Sequence, residues 1–228
     1  MTVKEAFTFV KILENIKPTT LNALQTHAKL IKVQKDEHLF FDKEEVNTVY
    51  IVIEGMVSIY KVSNEGEKKV IYVLGKGLMV NEVILQNLPA SANCEVLSTA
   101  FILCIPKDKL LSIMEQDFTL TKAILDSMAL KIRRLYRQLK NTSGSIRLDK
   151  KIAAKLWKLA SDYGVPTKEG TSIEMDLTVT YLADLVGAKR ESVSRHLKVL
   201  TNLNLVIFHK NRFIIPDPKK LMEYFKLP

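Results

Sequence analysis

The chain has 228 residues, 47% of them hydrophobic and 26% charged, and 34 Lys and Arg against 25 Asp and Glu give a formal net charge of +9. That is enough chain for two small domains with real cores, and no run approaches the roughly 18–20 apolar residues of a membrane span, so no membrane partner is expected. Two cysteines and four scattered histidines exclude a disulfide framework and any metal site of ordinary spacing, and Met1–Phe7 lacks the features of a secretory leader, which makes the cytoplasm the expected compartment.

Residues from Thr2 to Leu30 read as helical, with Phe7, Val10 and Leu13 on one face and Lys17-Pro18 restarting a second short helix. From Ile31 to Pro106 the texture changes to short apolar runs broken by turn residues. Val49–Ile53 stops at Glu54-Gly55, Met56–Val62 meets Ser63-Asn64-Glu65-Gly66, and Lys69–Leu74 meets Gly75-Lys76-Gly77. Ala100–Ile105 then stops at Pro106. This spacing predicts a β-sandwich or β-roll.

After Pro106 the period becomes helical. Between Phe118 and Asn141 there is no Gly or Pro, and Leu125, Met128, Ile132, Leu135 and Leu139 alternate steps of three and four. That is a heptad seam, suited to two copies of the chain lying helix along helix. The plainer reading is that the stripe packs on the chain's own β-domain. Lys131, Arg133, Arg134, Arg137 and Lys140 decorate the helix without an acid among them, as a solvated face would. Asn141-Thr142-Ser143-Gly144-Ser145 reads as a linker.

Residues 179–198 carry the most specific pattern. Leu182, Val186, Ala188, Val193 and Leu197 supply a shared core for two short crossing helices, Ala183 leaves room for their close approach, and Gly187 suits a left-handed turn. Thr178 is placed to cap the first helix. On the second, Val193, Leu197 and Leu200 face inward, which turns Arg190, Glu191, Ser194, Arg195 and Lys198 outward. Arginine reads guanine and glutamate accepts from the cytosine amino group, so these are base-reading side chains. An ordinary salt-bridged helix surface is the competing reading. His196 stands where such motifs carry an apolar residue and is expected to pack with its ring edge at the surface. Leu203–Phe208 and Arg212–Pro216 then predict a hairpin, a wing with His209, Lys210 and Asn211 at its tip. Lys189, Arg190, Arg195, Lys198, Lys210 and Arg212 stand here against one acid, Glu191, a charge balance suited to phosphates.

In this order (β-roll, long helix, linker, winged helix-turn-helix) the chain resembles the Crp–Fnr family, the regulators related to the cyclic-AMP receptor protein. The likeness covers nearly the whole chain and is densest in Val49–Gly55, Gly77–Leu85 and Leu177–His209. It implies an α+β protein with a sensing β-roll over 1–115, a dimerisation helix over 116–142, a hinge over 143–148 and a DNA-binding domain over 149–228. It further implies a homodimer on double-stranded DNA, with RNA polymerase as a second partner. Arg190, Glu191, Ser194 and Arg195 would contact bases in an inverted repeat of TGA-like half-sites about 34 Å apart. Thr178, Thr180, Lys189, Lys198, His209 and Lys210 would contact phosphates.

The effector is where the pattern departs. The family's Gly-Glu and Arg-Ser pairs read here as Asn81-Glu82 and Ala90-Ser91, and its helix Thr-Ser pair as Tyr136-Arg137. Glu82 remains, but without the arginine a cyclic phosphate loses its bidentate counter-charge, which argues against cyclic AMP. Two cysteines are too few for an iron–sulfur cluster, and no histidine recommends itself as a haem ligand. A small-molecule effector of unknown identity is therefore expected, with a Cys94–Cys104 redox pair as a lesser alternative. A sensor module acting through protein contacts is the second functional class, and the Arg190/Glu191/Arg195 face argues against it. No phosphate loop, nucleophile elbow or metal cluster suggests an enzyme.

Overall fold

The computed structural model describes residues 1–142 and 146–226. They divide into two compact units: Met1–Lys61 with Ile71–Arg137, and Gln138–Pro228 with Val62–Val70. The junction between Arg137 and Gln138 falls inside the expected dimerisation helix, ahead of the expected hinge over 143–148, whose residues 143–145 lie outside the described ones. Among the described residues no helix is long and apolar enough to cross a membrane.

The first unit is an antiparallel β-roll flanked by helices. Strand β5 (Asn93–Pro106) is its spine, pairing with β1 (Lys29–Val33), β2 (His38–Phe40) and β3 (Thr48–Val62), while β4 (Lys68–Leu74) closes the other side of β3. The sequence predicts a strand end at Glu54-Gly55; instead β3 runs on as one strand. Gly55 lies at φ +82° among register shifts between Val52 and Val57, so it is a bulge that bends the strand rather than a turn that ends it. A β-carbon there would lie 2.6 Å from the Thr99 carbonyl oxygen. Val49, Ile51, Ile53, Val57, Ile102 and Leu103 form the buried interior.

The N-terminal segment is less helical than its sequence suggests. It holds α1 (Val3–Phe7), a 3-10 turn at Lys11–Leu13 and α2 (Pro18–His27), before β1 begins at Lys29. After Pro106 come α3 (Lys107–Gln116) and α4 (Phe118–Thr142). Asp117 makes the break between them. One of its carboxylate oxygens accepts from the Thr119 amide at 2.9 Å, capping α4, and the other accepts from the Thr20 hydroxyl at 2.6 Å. Leu120 and Ile124 then anchor α4 in the β-roll core.

The second unit is a winged helix-turn-helix. Helix α5 (Leu148–Tyr163) leads to a hairpin of β6 (Gly164–Thr167) and β7 (Gly170–Ile173), then α6 (Val179–Val186) and α7 (Arg190–Asn202). The wing is β8 (Ile207–His209) with β9 (Arg212–Ile215), and α8 (Pro218–Lys226) ends the unit. The sheet order is β6-β7-β9-β8. Neither the first hairpin nor α8 stands out in the sequence. Asp149, fully buried at the start of α5, ties α8 down by accepting from Tyr224 and from Arg147. Burial pushes the Tyr224 hydroxyl up, the Asp149 carboxylate adding to it, to about 12.

Because Gly55 combines a positive φ with a contact that no β-carbon tolerates, Gly55→Ala is expected to cost more than about 2 kcal/mol of stability, read from the urea midpoint of the β-roll transition. A shift within about 0.5 kcal/mol would mean the bulge relaxes freely.

Candidate nucleic-acid interface

Helix α6 starts at Thr178, whose hydroxyl accepts from the Tyr181 amide at 3.0 Å, and it ends at Gly187 in the left-handed region (φ +67°, ψ +52°). The Gly187 amide returns to the Ala183 carbonyl at 2.8 Å, and Ala183 is buried where the helices cross. The chain then enters α7 two residues later. Leu182, Val193, Leu197 and Leu200 are buried together with Ile152 and Leu156 of α5. This burial fixes the rotation of α7 about its axis. Arg190, Glu191, Arg195 and Lys198 are consequently exposed and Ser194 half-buried, all on the opposite face, with Lys189 exposed one residue ahead of the helix. None of these residues makes an ion pair among the described residues, although Glu191 and Arg195 stand one helical turn apart. His196 is half-buried, as its position in the sequence suggests.

The wing turns at Lys210 and Asn211, both with positive φ (46° and 58°), between the paired His209 and Arg212. Such a turn matches strand twist and favours Asn and Gly. Asn211 conforms; a lysine does not, so Lys210 sits at a strained position. The Asn211 carbonyl accepts from the Leu177 amide at 2.9 Å, which places the wing tip beside the start of α6, where Thr178 is half-buried and Thr180 exposed. Between α7 and the wing lies a groove of about 450 Å³, whose lining includes Val179, Ser194, Lys198, Thr201, Ile207 and Phe208. The wing tip thus stands beside the start of α6, and Ser194 and Lys198 of α7 face the groove between that helix and the wing.

Residues 30–117 match the family model for the cyclic nucleotide-binding domain, and residues 150–224 match that for the Crp-like helix-turn-helix domain. The chain belongs to the Crp–Fnr family of transcription regulators. It is similar to the CRP-like cAMP-activated global transcriptional regulator of Mycobacterium tuberculosis, 25% identical over 215 residues that cover 92% of this chain and 94% of that protein. It is also similar to the anaerobic regulatory protein of Bacillus subtilis, 26% identical over 81% of this chain and 78% of that protein. Among solved structures, FixK2 from Bradyrhizobium japonicum shares the fold with a TM-score of 0.77 at 17% identity, over 86% of this chain and 96% of that one. The chain is therefore a DNA-binding regulator of the Crp–Fnr type.

The family's sensing half implies a cyclic nucleotide, and the residues at the corresponding place do not fit one. Glu82 is 2% exposed, and both its carboxylate oxygens are engaged by α4: Ser127 donates to Oε1 at 2.8 Å, and Lys131 pairs with Oε2. Asn81 is also buried, its amide accepting from Tyr50 and donating to the Thr48 carbonyl, each at 2.9 Å, so it holds β3 in place. Ala90 offers only backbone groups, its amide on the Glu44 carbonyl and its carbonyl on the Lys43 amide, while Ser91 is exposed. Tyr136 and Arg137 are exposed on α4, beyond the part that packs on the β-roll. Ser127 and Lys131 were not legible as site residues, and Lys131 looks in the sequence like part of a solvated face. Their signal is the inward stripe Leu120, Ile124, Ser127, Met128, Lys131, whose last member is a lysine. Burial pulls the Lys131 ammonium below the ordinary lysine range, against the opposing pull of Glu82.

The two cysteines of the expected redox alternative lie on one strand, β5. Nine residues of β5 lie between them, Cys94 paired with Ile59 and Cys104 with Tyr50, which puts a disulfide out of reach. Burial pushes the Cys104 thiol up to about 11 and the Cys94 thiol higher still, so neither supplies a thiolate near neutrality.

Lys210 places a cation at the wing tip on a strained backbone. Lys210→Gly is expected to raise the unfolding free energy of this domain by as much as about 1 kcal/mol while lowering the slope of log affinity for DNA against log salt by about one. Unchanged values of both, from urea titration and salt-dependent binding, would remove the wing tip from the interface.

Proposed function

We propose that the chain works as a homodimer that reads an inverted-repeat site with TGA-like half-sites through α7, and that its β-roll gates this binding in response to a small molecule. The observation that carries the reading is the bare outward face of α7. Burial of Val193, Leu197 and Leu200 turns Arg190, Glu191, Arg195 and Lys198 out to solvent with Ser194 half-buried beside them, so the packing of the helix calls on none of these side chains. Arg190, Glu191, Ser194 and Arg195 take base edges in this reading, and Thr178, Thr180, Lys189, Lys198, His209 and Lys210 take phosphates. The cysteine geometry removes support from a redox pair as the signal.

Self-association is supported by the second face of α4. Leu125, Ile132, Leu135 and Leu139 are exposed by 53, 46, 36 and 65%, whereas Met128 packs partly on the β-roll. Phe118, 75% exposed and seven residues before Leu125, extends the seam by a heptad. A helix that leaves such a stripe open needs a partner, and a second copy supplies the identical stripe. RNA polymerase enters this reading as second partner through the family alone. A sensor working only through protein contacts has no use for an unpaired reading face.

The test is selection from a random duplex pool by purified protein with no added ligand. Wild type is expected to enrich an inverted repeat, and Glu191→Ala and Arg195→Ala each to lose about 1–3 kcal/mol of discrimination at one or two positions of the half-site. No enrichment even at low salt, where phosphate contacts are strongest, would overturn the reading.

A further inference from the structure

The cluster around Glu82 joins α4 to the β-roll by polar contacts that converge within one helical turn. Ser127 and Lys131 hold the two carboxylate oxygens of Glu82. The Lys131 ammonium also donates to the carbonyls of Met79, at 2.7 Å, and Val80, at 3.4 Å. Its three protons therefore meet three oxygens, all from the β-roll. From β4, the Tyr72 hydroxyl donates to the Lys131 carbonyl at 2.6 Å. Lys131 is the last member of the inward stripe, and from Ile132 onward α4 exposes Ile132, Arg133, Leu135, Tyr136 and Arg137.

A leucine at position 131 would bury more apolar surface without the desolvation cost of an ion pair. What the pair adds is direction, since each bond is satisfied at one rotation and one height of the helix. The ammonium also occupies the polar environment of Glu82 that an external ligand would need.

We propose that Glu82, Ser127 and Lys131 form an internal latch that holds α4 on the β-roll and keeps the chain in its DNA-binding arrangement with no small molecule bound. An effector then acts by opening the latch, so the ligand-free protein is the DNA-binding form. The direction follows from pre-organisation: a helix fixed at Lys131 presents the seam beyond it in one orientation, and freeing it adds disorder that must be lost when two half-sites are engaged. This inference rests on the DNA-binding reading above.

The test measures affinity of the full chain for its selected duplex at fixed ionic strength, without added ligand. Lys131→Ala and Glu82→Gln are expected each to lose about tenfold or more, with circular dichroism and sedimentation unchanged. n-Propylammonium, which replaces the atoms removed in Lys131→Ala, is expected to restore most of that loss. Tetramethylammonium, with no N–H to donate, restores none, and neither cation helps Glu82→Gln. Wild-type affinity in both variants would overturn the latch, as would a loss that accompanies unfolding or monomerisation, or one that n-propylammonium leaves in place. If wild type binds no duplex at low salt, the DNA-binding reading itself fails. The latch is then decided by amide exchange in α4, where Lys131→Ala must lose protection from Ser127 to Arg137, and unchanged protection overturns it.

Discussion

Burial of Val193, Leu197 and Leu200 on one side of α7 is the contact on which the face proposed to read DNA depends. A helix can bury only one stripe, so fixing that stripe against Leu182 and the α5 residues Ile152 and Leu156 decides what the other side offers. The left-handed backbone of Gly187 sets the angle at which α7 arrives, and the Ala183 side chain is small enough to let it approach. The chemistry of the exposed face is then free to serve recognition, because packing does not call on it. The wing follows the same division. Phe213 and Ile215 are buried, while Lys210 and Arg212 stay at the surface, Lys210 at the expense of a strained turn.

Helix α4 carries two opposed stripes, one packed on the β-roll and one left open for the second copy proposed above. Leu120, Ile124, Ser127, Met128 and Lys131 face the β-roll; Phe118, Leu125, Ile132 and Leu139, each seven residues from the next, face away. The inward stripe begins apolar and ends polar, which changes the kind of attachment along its length. Its apolar part is non-directional and supplies adhesion. Its polar end fixes geometry, at the point where the helix leaves the β-roll. In the proposed latch, the contacts to Glu82 therefore fix the helix just before Ile132 and Leu139, the last two members of the outward seam.

The parts legible in the sequence are those encoded by neighbours. Thr178, Ala183, Gly187 and the apolar spacing of α7 act within a few residues of one another, so the helix-turn-helix and its outward face can be read directly, and the wing turn likewise. The β-roll is legible as strand-sized runs, but Gly55 misleads: a glycine signals backbone freedom without saying whether it ends a strand or bends it. The β6–β7 hairpin is obscured by a proline, tolerated because β6 is an edge strand. The sensor site is hidden for a different reason. Lys131 and Glu82 are 49 residues apart, and a lysine amid Arg133, Arg134 and Arg137 looks like one more solvated cation until the helix is laid on the sheet. Cys94 and Cys104 were equally undecidable, since assigning them to one strand or two needs the register of β5.

In the proposed complex, two copies of α7, held by the α4 seam, read two half-sites on one side of the duplex. Binding should be measured on a series of duplexes in which the selected half-sites are kept and the distance between them is varied base pair by base pair. Affinity is expected to peak where the half-site centres lie about 10–10.5 base pairs apart, one helical turn, and to collapse when about five base pairs are inserted, which turns the second site to the far side of the DNA. Equal affinity at every spacing, or binding that needs only one half-site, would contradict it.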